Sequence, residues 1–93
     1  MEKIKGMVIN AKLLEFTDEK TGELVTLTKV NYVLDSEDSD KSVGYDMFEC
    51  NLIGDVVRKF KGYTMKPVTL GFEKVSNKSG YKLKIREVNG LSI

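Results

Sequence analysis

Three cations alternate with two apolar residues near the end of the chain. Lys82, Lys84 and Arg86 flank Leu83 and Ile85. Because successive side chains of a β-strand point to opposite faces, the cations share one face and the apolar pair shares the other. A row of cations attracts the phosphates of a polyanion. This strand therefore has the chemistry of a phosphate-binding surface.

An aromatic residue follows the turn that precedes this strand. Residues 76–80, with the sequence SNKSG, are typical of a tight turn and include Lys78, and Tyr81 comes directly after them. An aromatic ring near cations is a platform on which the base of a nucleic acid can stack. In the alternative interpretation, the cations are the solvated face of an edge strand, where charge prevents aggregation, and Tyr81 only shields them.

The small net charge of +1 conceals a separation of charge along the chain. Residues 35–49 carry six carboxylates against one lysine, whereas residues 58–86 carry nine cations against one carboxylate. A local basic patch, rather than the total charge, determines whether a protein binds a polyanion. The pattern therefore favours a basic binding surface in the second half of the chain.

Catalysis and metal binding have little support in the composition. The chain has no histidine and one cysteine, Cys50, so it lacks the usual zinc ligands, the commonest general base and an internal disulfide. Asp46 and Glu49 lie three residues apart in a predicted strand and face opposite sides. The acidic segment 36–42 lacks the spacing of a calcium-binding loop. We expect no enzyme activity, no cofactor and no metal site.

The length and the hydropathy pattern indicate one soluble domain. A chain of 93 residues forms one core, so we assign residues 1–93 to a single domain. No apolar run is long enough to cross a membrane, and the first residues lack the apolar region of a signal peptide. We therefore expect a cytoplasmic protein.

Alternation predicts five strands and one short helix. The strands begin near residues 3, 23, 43, 67 and 81, and residues 55–61 form the helix, which ends at Gly62. The apolar residues of the first strand move from one face to the other along its length. A bulge at either Gly6 or the pair Leu13 and Leu14 is expected to cause this change of face. The second strand changes face near Thr28, so both strands are expected to bend.

Bent early strands, two hairpins and one helix in this order predict an all-β, five-stranded, partly open barrel of the OB-fold type, β-β-β-α-β-β. An open antiparallel sheet with the helix on one face is the alternative. Ligands of OB-folds lie over strands two and three and under two hairpin loops, here residues 17–22 and 76–80. These elements add Lys20, Lys29, Lys78 and Tyr45 to the candidate site.

The remaining aromatic residues are assigned mainly to the core. Tyr32 shares a row with Val30 and Leu34 and is expected to be buried. Tyr63 is expected to cap the helix end, and Tyr45 is either exposed or covered by a loop. The phenylalanines are predicted to be core residues: Phe16, Phe48, Phe60 and Phe72.

The chain resembles the single-stranded-DNA-binding, helix-destabilising proteins of filamentous phages. Two short segments carry part of the resemblance, residues 21–23 (TGE) and residues 30–33 (VNYV). The final hairpin carries the rest, through the order of its apolar, glycine and basic positions: Val68, Leu70, Phe72, Lys74, Val75, Gly80, Leu83 and Ile85. These matches are spaced patterns over about two thirds of the chain.

The resemblance implies a small OB-type dimer that binds single-stranded DNA, or RNA, with little sequence specificity. It implies a role in the replication of a phage or another mobile element, in the cytoplasm of a bacterial host. Tyr45, Tyr81 and Lys20 lie near the family's contact positions. The chain departs from the family at Leu24 and Val25, in its longer final hairpin and in its helix. The full set of predicted nucleic-acid-binding residues is Lys20, Lys29, Tyr45, Lys78, Tyr81, Lys82, Lys84 and Arg86.

A function of another class is also compatible with the pattern. An adaptor domain would use an exposed sheet edge and the acidic loop 35–42 to bind a strand of a protein partner. Such a protein would show little affinity for oligo(dT) and little dependence of that affinity on salt.

Overall fold

A computed structural model describes residues 1–35 and 39–93, and this part of the chain forms one antiparallel β-sheet. The sheet order is β3-β2-β1-β4-β5-β6, so the predicted all-β class is confirmed, with six strands instead of five. A single turn of 3₁₀ helix connects β3 to β4. The bounds are β1 Glu2–Thr17, β2 Leu24–Asp35, β3 Tyr45–Ile53, the 3₁₀ turn Val57–Phe60, β4 Pro67–Asn77, β5 Gly80–Val88 and β6 Leu91–Ser92.

The long strand β1 organises the sheet because it pairs on both sides. Its first part pairs with β4 and its second part pairs with β2. The register with β2 shifts between Val8 and Asn10, and such a bulge bends and twists a strand. The bulge predicted at Gly6 or at residues 13–14 was therefore misplaced. Gly6 has another role, because a Cβ atom there would lie 2.3 Å from the carbonyl oxygen of Val33.

The bent sheet curls until its strands β3 and β5 approach each other. Since every neighbouring pair in the sheet is antiparallel, β3 and β5 run in the same direction. Their Cα atoms come within 8 Å, and the Ile85 backbone is close enough to the Cys50 thiol to oppose the rise in its pKa that burial causes. Within residues 1–35 and 39–93, no ladder of backbone hydrogen bonds joins β3 to β5. We call this unladdered boundary the seam.

The core fills the concave face of the curled sheet. In β2 the inward row is the even-numbered one, which includes the predicted Val30 and Tyr32. The predicted inward rows of β4 and β5 are also confirmed for the buried residues Val68, Leu70, Phe72 and Ile85, although Leu83 is only half-buried. The largest fully buried side chains are Phe60, Phe72, Leu70, Ile85, Val8, Val30 and Val88.

Two phenylalanines that alternation assigned to the core are exposed. Phe16 is 49% exposed because it pairs with Val25 on the convex face, where the β1–β2 hairpin extends beyond the core. Phe48 is 43% exposed although it shares the inward row of Cys50 and Leu52. It lies toward the start of that row, beside the seam, where the core no longer covers it.

The predicted helix at residues 55–61 is only the 3₁₀ turn Val57–Phe60. Its sequence is too short to sustain an α-helix, and packing rather than propensity holds it in place. The Val57 amide donates to Asp55 Oδ1 over 3.3 Å, and Gly62 ends the turn with a φ of +84°. Phe60 is fully buried, as predicted.

Thr28 anchors the segment that leads into this turn. Its side chain is completely buried, and its hydroxyl donates to the Gly54 carbonyl oxygen over 2.8 Å. The same hydroxyl oxygen accepts a hydrogen bond from the Val56 amide over 2.9 Å. One side chain therefore satisfies two backbone groups of the connection between β3 and β4.

Candidate nucleic-acid interface

A groove of about 550 Å³ follows the seam between β3 and β5. Residues of the concave face form its floor, and residues of the convex face form its two rims, because both strand edges are open there. The groove is apolar at its base and polar at its margins. Its lining residues are Tyr32, Leu34, Phe48, Glu49, Cys50, Asn51, Tyr81, Lys82, Leu83 and Lys84.

Phe48 is held in the groove by a column of aromatic rings. Its ring stacks on that of Tyr32 with 5.6 Å between centroids and 20° between planes. Tyr32 in turn contacts Phe72 in the core at 5.7 Å between centroids. The outer ring of the column is therefore fixed in orientation while 43% of Phe48 remains exposed. Sequence reasoning missed Phe48 as a functional candidate, because alternation shows which face of the strand this residue occupies but not how far its side chain is exposed.

Tyr81 lines the same groove from the β4–β5 hairpin and is 61% exposed. It lies on the face of β5 opposite to Lys82, so it does not belong to the cationic row itself. Nζ of Lys74 lies 4.9 Å from the centroid of the Tyr81 ring, within the range of a cation–π contact. Lys74 was absent from the predicted site. Counting back from the turn would have found it, because the register pairs Ser76 with Tyr81 and Lys74 with Leu83.

The predicted row of three cations divides into two free lysines and one paired arginine. Lys82 and Lys84 line the groove, and neither forms an ion pair with any residue that the structure describes. Arg86 lies outside the lining residues, and its Nε donates to Glu73 Oε2 over 2.6 Å. The structure thus brings two of the three cations to the groove, neither of them in an ion pair with a described residue.

The opposite rim of the groove carries Glu49, whose charge is already compensated. Its carboxylate lies 3.1 Å from Nζ of Lys29 on the neighbouring strand. Lys29, one of the predicted contacts, is therefore committed to an ion pair. Because this pair neutralises the one carboxylate among the described lining residues, Lys82 and Lys84 determine the sign of the charge along this lining.

The other predicted residues lie outside the groove. Tyr45 is 56% exposed and lines a separate depression with Lys5, Asp35 and Asn89. Lys78 is exposed in the turn between β4 and β5, three residues before Tyr81. Lys20 is exposed in the loop between β1 and β2. The structure therefore groups Tyr81, Lys82 and Lys84, and does not bring the remaining predicted residues into the same groove.

Two groups in the floor of the groove are stabilised in their neutral form. Burial, with a smaller effect of the nearby Cys50, raises the pKa of Tyr32 to about 12. Burial also raises the pKa of the Cys50 thiol, although the Ile85 backbone and the charges of Lys84 and Arg86 oppose this effect. At neutral pH the floor is therefore uncharged, and the charge of the groove resides at its rims.

The described residues contain no group of three or more histidine, cysteine or acidic side chains placed to hold a metal ion. The acidic segment considered for calcium lies partly outside residues 1–35 and 39–93. No helix in the described part of the chain is long and apolar enough to cross a membrane. Comparison with protein-family models, curated proteins and solved structures gave no match. The resemblance to the phage proteins stays a prediction.

Proposed function

We propose that the chain binds single-stranded nucleic acid, DNA in the first instance, along the groove at the seam between β3 and β5. One observation carries the proposal: two half-exposed aromatic rings, Phe48 and Tyr81, line the same groove as Lys82 and Lys84, two lysines that form no ion pair with any described residue. Single-stranded nucleic acid requires this combination, because its bases stack on rings while its phosphates need cations.

The fold supports a finer assignment as part of this proposal. A curled antiparallel sheet, with β1 shared between two neighbours and β3 beside β5, is compatible with a partly open OB-type barrel. The two-residue β6 is then an addition at the edge of β5. The groove would occupy the seam of that barrel, next to strand three and the hairpin of strands four and five, where OB-folds bind oligonucleotides.

The aromatic rings account for affinity without sequence specificity. Each stacked base contributes about 1 to 3 kcal/mol, and every base presents a π-face to a ring. Phe48 is held against Tyr32, so little side-chain entropy is lost when a base stacks on it. We therefore propose binding with little sequence preference, in the cytoplasm of a bacterial host that carries the phage or mobile element.

The test is fluorescence anisotropy of labelled oligo(dT) at several salt concentrations. We expect the logarithm of the affinity to fall with the logarithm of salt by about 0.7 for each phosphate contact on a single strand. Replacing both groove lysines, Lys82→Ala with Lys84→Ala, should reduce this slope by about 1.4 and weaken binding at low salt. Duplex DNA of the same length should bind more weakly, because its bases are not free to stack.

A matched control removes the same charge elsewhere. Lys59 and Lys61 are exposed on and beside the 3₁₀ turn and do not line the groove. The variant Lys59→Ala with Lys61→Ala should keep the slope of the wild-type protein. If both double variants lose the same slope, binding depends on total charge rather than on the groove. Undetectable binding of oligo(dT) and oligo(U) at low salt would overturn the proposal and favour the adaptor function.

A further inference from the structure

A second depression adjoins the groove on the convex face of β1, β2 and β3. Its volume is about 380 Å³, and it shares Phe48 and Glu49 with the groove. Ile9, which the register of β1 with β2 skips, lies at its margin. Bulges of this kind often lie beside functional sites, where they change the direction of a side chain. The residue that follows the bulge is Asn10, which also lines the depression.

Three polar side chains cross this depression in one row. Asn10 of β1 pairs with Asn31 of β2, and Asn31 pairs with Glu49 of β3. Directly paired residues place their side chains on the same face of a sheet. This face is the convex one, because the inward row of β2 is even-numbered. All three residues line the depression, and we call them the polar row.

A hydrogen bond fixes the orientation of the central amide. Nδ2 of Asn31 donates to Oδ1 of Asn10 over 2.8 Å, and both residues are half-buried. Oδ1 of Asn31 is therefore turned away from Asn10, and Glu49 lies on that side of β2. Among the described residues, Oδ1 of Asn31 has no hydrogen-bond donor. Nδ2 of Asn31 has a second hydrogen, so this amide offers one acceptor and one donor to a ligand.

The carboxylate of Glu49 also retains acceptor positions. Nζ of Lys29 lies 3.1 Å from Oε2 of Glu49. A carboxylate has about four lone-pair positions, so one cation leaves most of them open. From β3 towards β1, the polar row therefore offers a carboxylate acceptor, the amide acceptor of Asn31 and the amide donor of Asn31.

Met47 provides an apolar wall beside the polar row. It is 79% exposed, lines the depression and lies two residues before Glu49 on the same face of β3. A thioether makes favourable contacts with aromatic rings and adapts to their shape. A planar base can thus lie against Met47 while its edge faces the polar row.

We propose that the polar row is a guanine subsite for the strand bound in the groove. Guanine presents two donors and one acceptor along its Watson–Crick edge, in the order N2–H, N1–H and O6. Glu49 accepts from N2–H, Oδ1 of Asn31 accepts from N1–H, and Nδ2 of Asn31 donates to O6. Adenine, cytosine and thymine each place an acceptor where guanine carries N1–H or N2–H. The inference rests on the proposed function and adds a base preference at one position of the strand.

Anisotropy titrations with variants of oligo(dT) test the inference. One central thymine is replaced by guanine, inosine, cytosine or adenine. We expect the guanine oligonucleotide to bind about 10-fold or more tightly than oligo(dT) and the adenine and cytosine oligonucleotides, since a good bidentate contact discriminates between bases to this extent. Inosine keeps N1–H and O6 but lacks the N2 amino group, so its affinity should be intermediate.

Glu49→Ala should remove the difference between guanine and inosine, because it removes the acceptor for N2–H. It should also strengthen binding of oligo(dT) at low salt, since Lys29 loses its ion pair. Glu49 is exposed, so circular dichroism should show an unchanged fold. The matched control is Asp46→Ala, at an exposed carboxylate of the same strand outside the linings of the groove and the depression. This control should keep the difference between guanine and inosine.

Equal affinity of the wild type for guanine and inosine would overturn the inference. So would a difference that Glu49→Ala retains, or one that Asp46→Ala also removes. If oligo(dT) binds and no base replacement changes its affinity, the guanine subsite is wrong and the proposed function stands. If none of the oligonucleotides binds at low salt, both are wrong.

Discussion

The guanidinium of Arg86 donates a hydrogen bond to the carboxylate of Glu73, with 2.6 Å between Nε and Oε2. The two side chains lie on the convex face of the β4–β5 hairpin, 39% and 53% exposed. An exposed pair of this kind adds little stability, at most about 1 kcal/mol. Its main effect is on the charge available to a ligand, because Lys82 and Lys84 are then the two cations of the row that form no ion pair with a described residue.

The pairing of Arg86 predicts which cations contribute to the salt dependence of binding. Arg86→Ala should leave the slope of affinity for oligo(dT) against salt close to that of the wild type. Glu73→Gln removes the competing carboxylate, so it should increase the slope by up to about 0.7 and raise affinity at low salt. Anisotropy titrations at several salt concentrations measure both effects. A loss of slope in Arg86→Ala equal to that in Lys84→Ala would contradict this prediction.

The position of Phe48 predicts that a residue assigned to the core contributes to binding. Phe48→Ala and Tyr81→Ala should each weaken binding of oligo(dT) by about 1 to 3 kcal/mol, because each removes one stacking surface. Phe48→Leu should weaken it comparably while preserving the apolar contact with Tyr32, and urea unfolding would show that stability is nearly unchanged.

Tyr45→Ala is the matched control for the path that the bound nucleic acid follows. Tyr45 is as exposed as Tyr81 but lines a different depression, so its loss should have a smaller effect. If Tyr45→Ala weakens binding more than Phe48→Ala and Tyr81→Ala do, the nucleic acid follows the convex face of β2 and β3 and not the seam.

The strands and their inward rows could be predicted because alternation depends only on local sequence. The rows of Val30 and Tyr32, and of Leu70 and Phe72, are buried as expected. Alternation states which face a side chain occupies but not how far the core extends under that face. Phe48 is therefore 43% exposed although it shares the inward row of Cys50 and Leu52.

The site was less predictable because it depends on pairing between strands. The charge row was visible in the sequence, but the partner of Arg86 is thirteen residues away in β4, and the partner of Lys29 is in β3. Only the register decides which carboxylate reaches which cation. Alternation also did not reveal the position of the bulge after Val8, which bends β1.

The buried hydroxyl of Thr28 predicts a large effect from a nearly isosteric substitution. Thr28→Val keeps the shape of the side chain but removes the acceptor for the Val56 amide and the donor to the Gly54 carbonyl. Leaving these groups without partners should lower the free energy of unfolding by about 1 to 3 kcal/mol. Thr28→Ser retains the hydroxyl and serves as the control. Equal stability of Thr28→Val and the wild type in urea would show that water replaces both bonds.

The raised pKa of Tyr32 predicts a loss of stability in alkali. Burial raises the pKa of Tyr32 to about 12, from the ordinary value of 10.0, so the folded chain retains the phenolic proton at a pH where the unfolded chain has released it. The unfolded state then binds fewer protons, and the free energy of unfolding falls as pH rises from about 10 towards 12. Below this window the group has no effect.

Tyr32→Phe removes this titration and isolates its contribution. The difference in unfolding free energy between the wild type and Tyr32→Phe should be constant below pH 10, the ordinary tyrosine pKa, and should then shift in favour of the variant by about 1 to 3 kcal/mol. Urea unfolding at a series of pH values measures the difference, since other titrating groups are common to both proteins. A difference that stays constant through the alkaline range would show that the hydroxyl of Tyr32 reaches solvent through the groove.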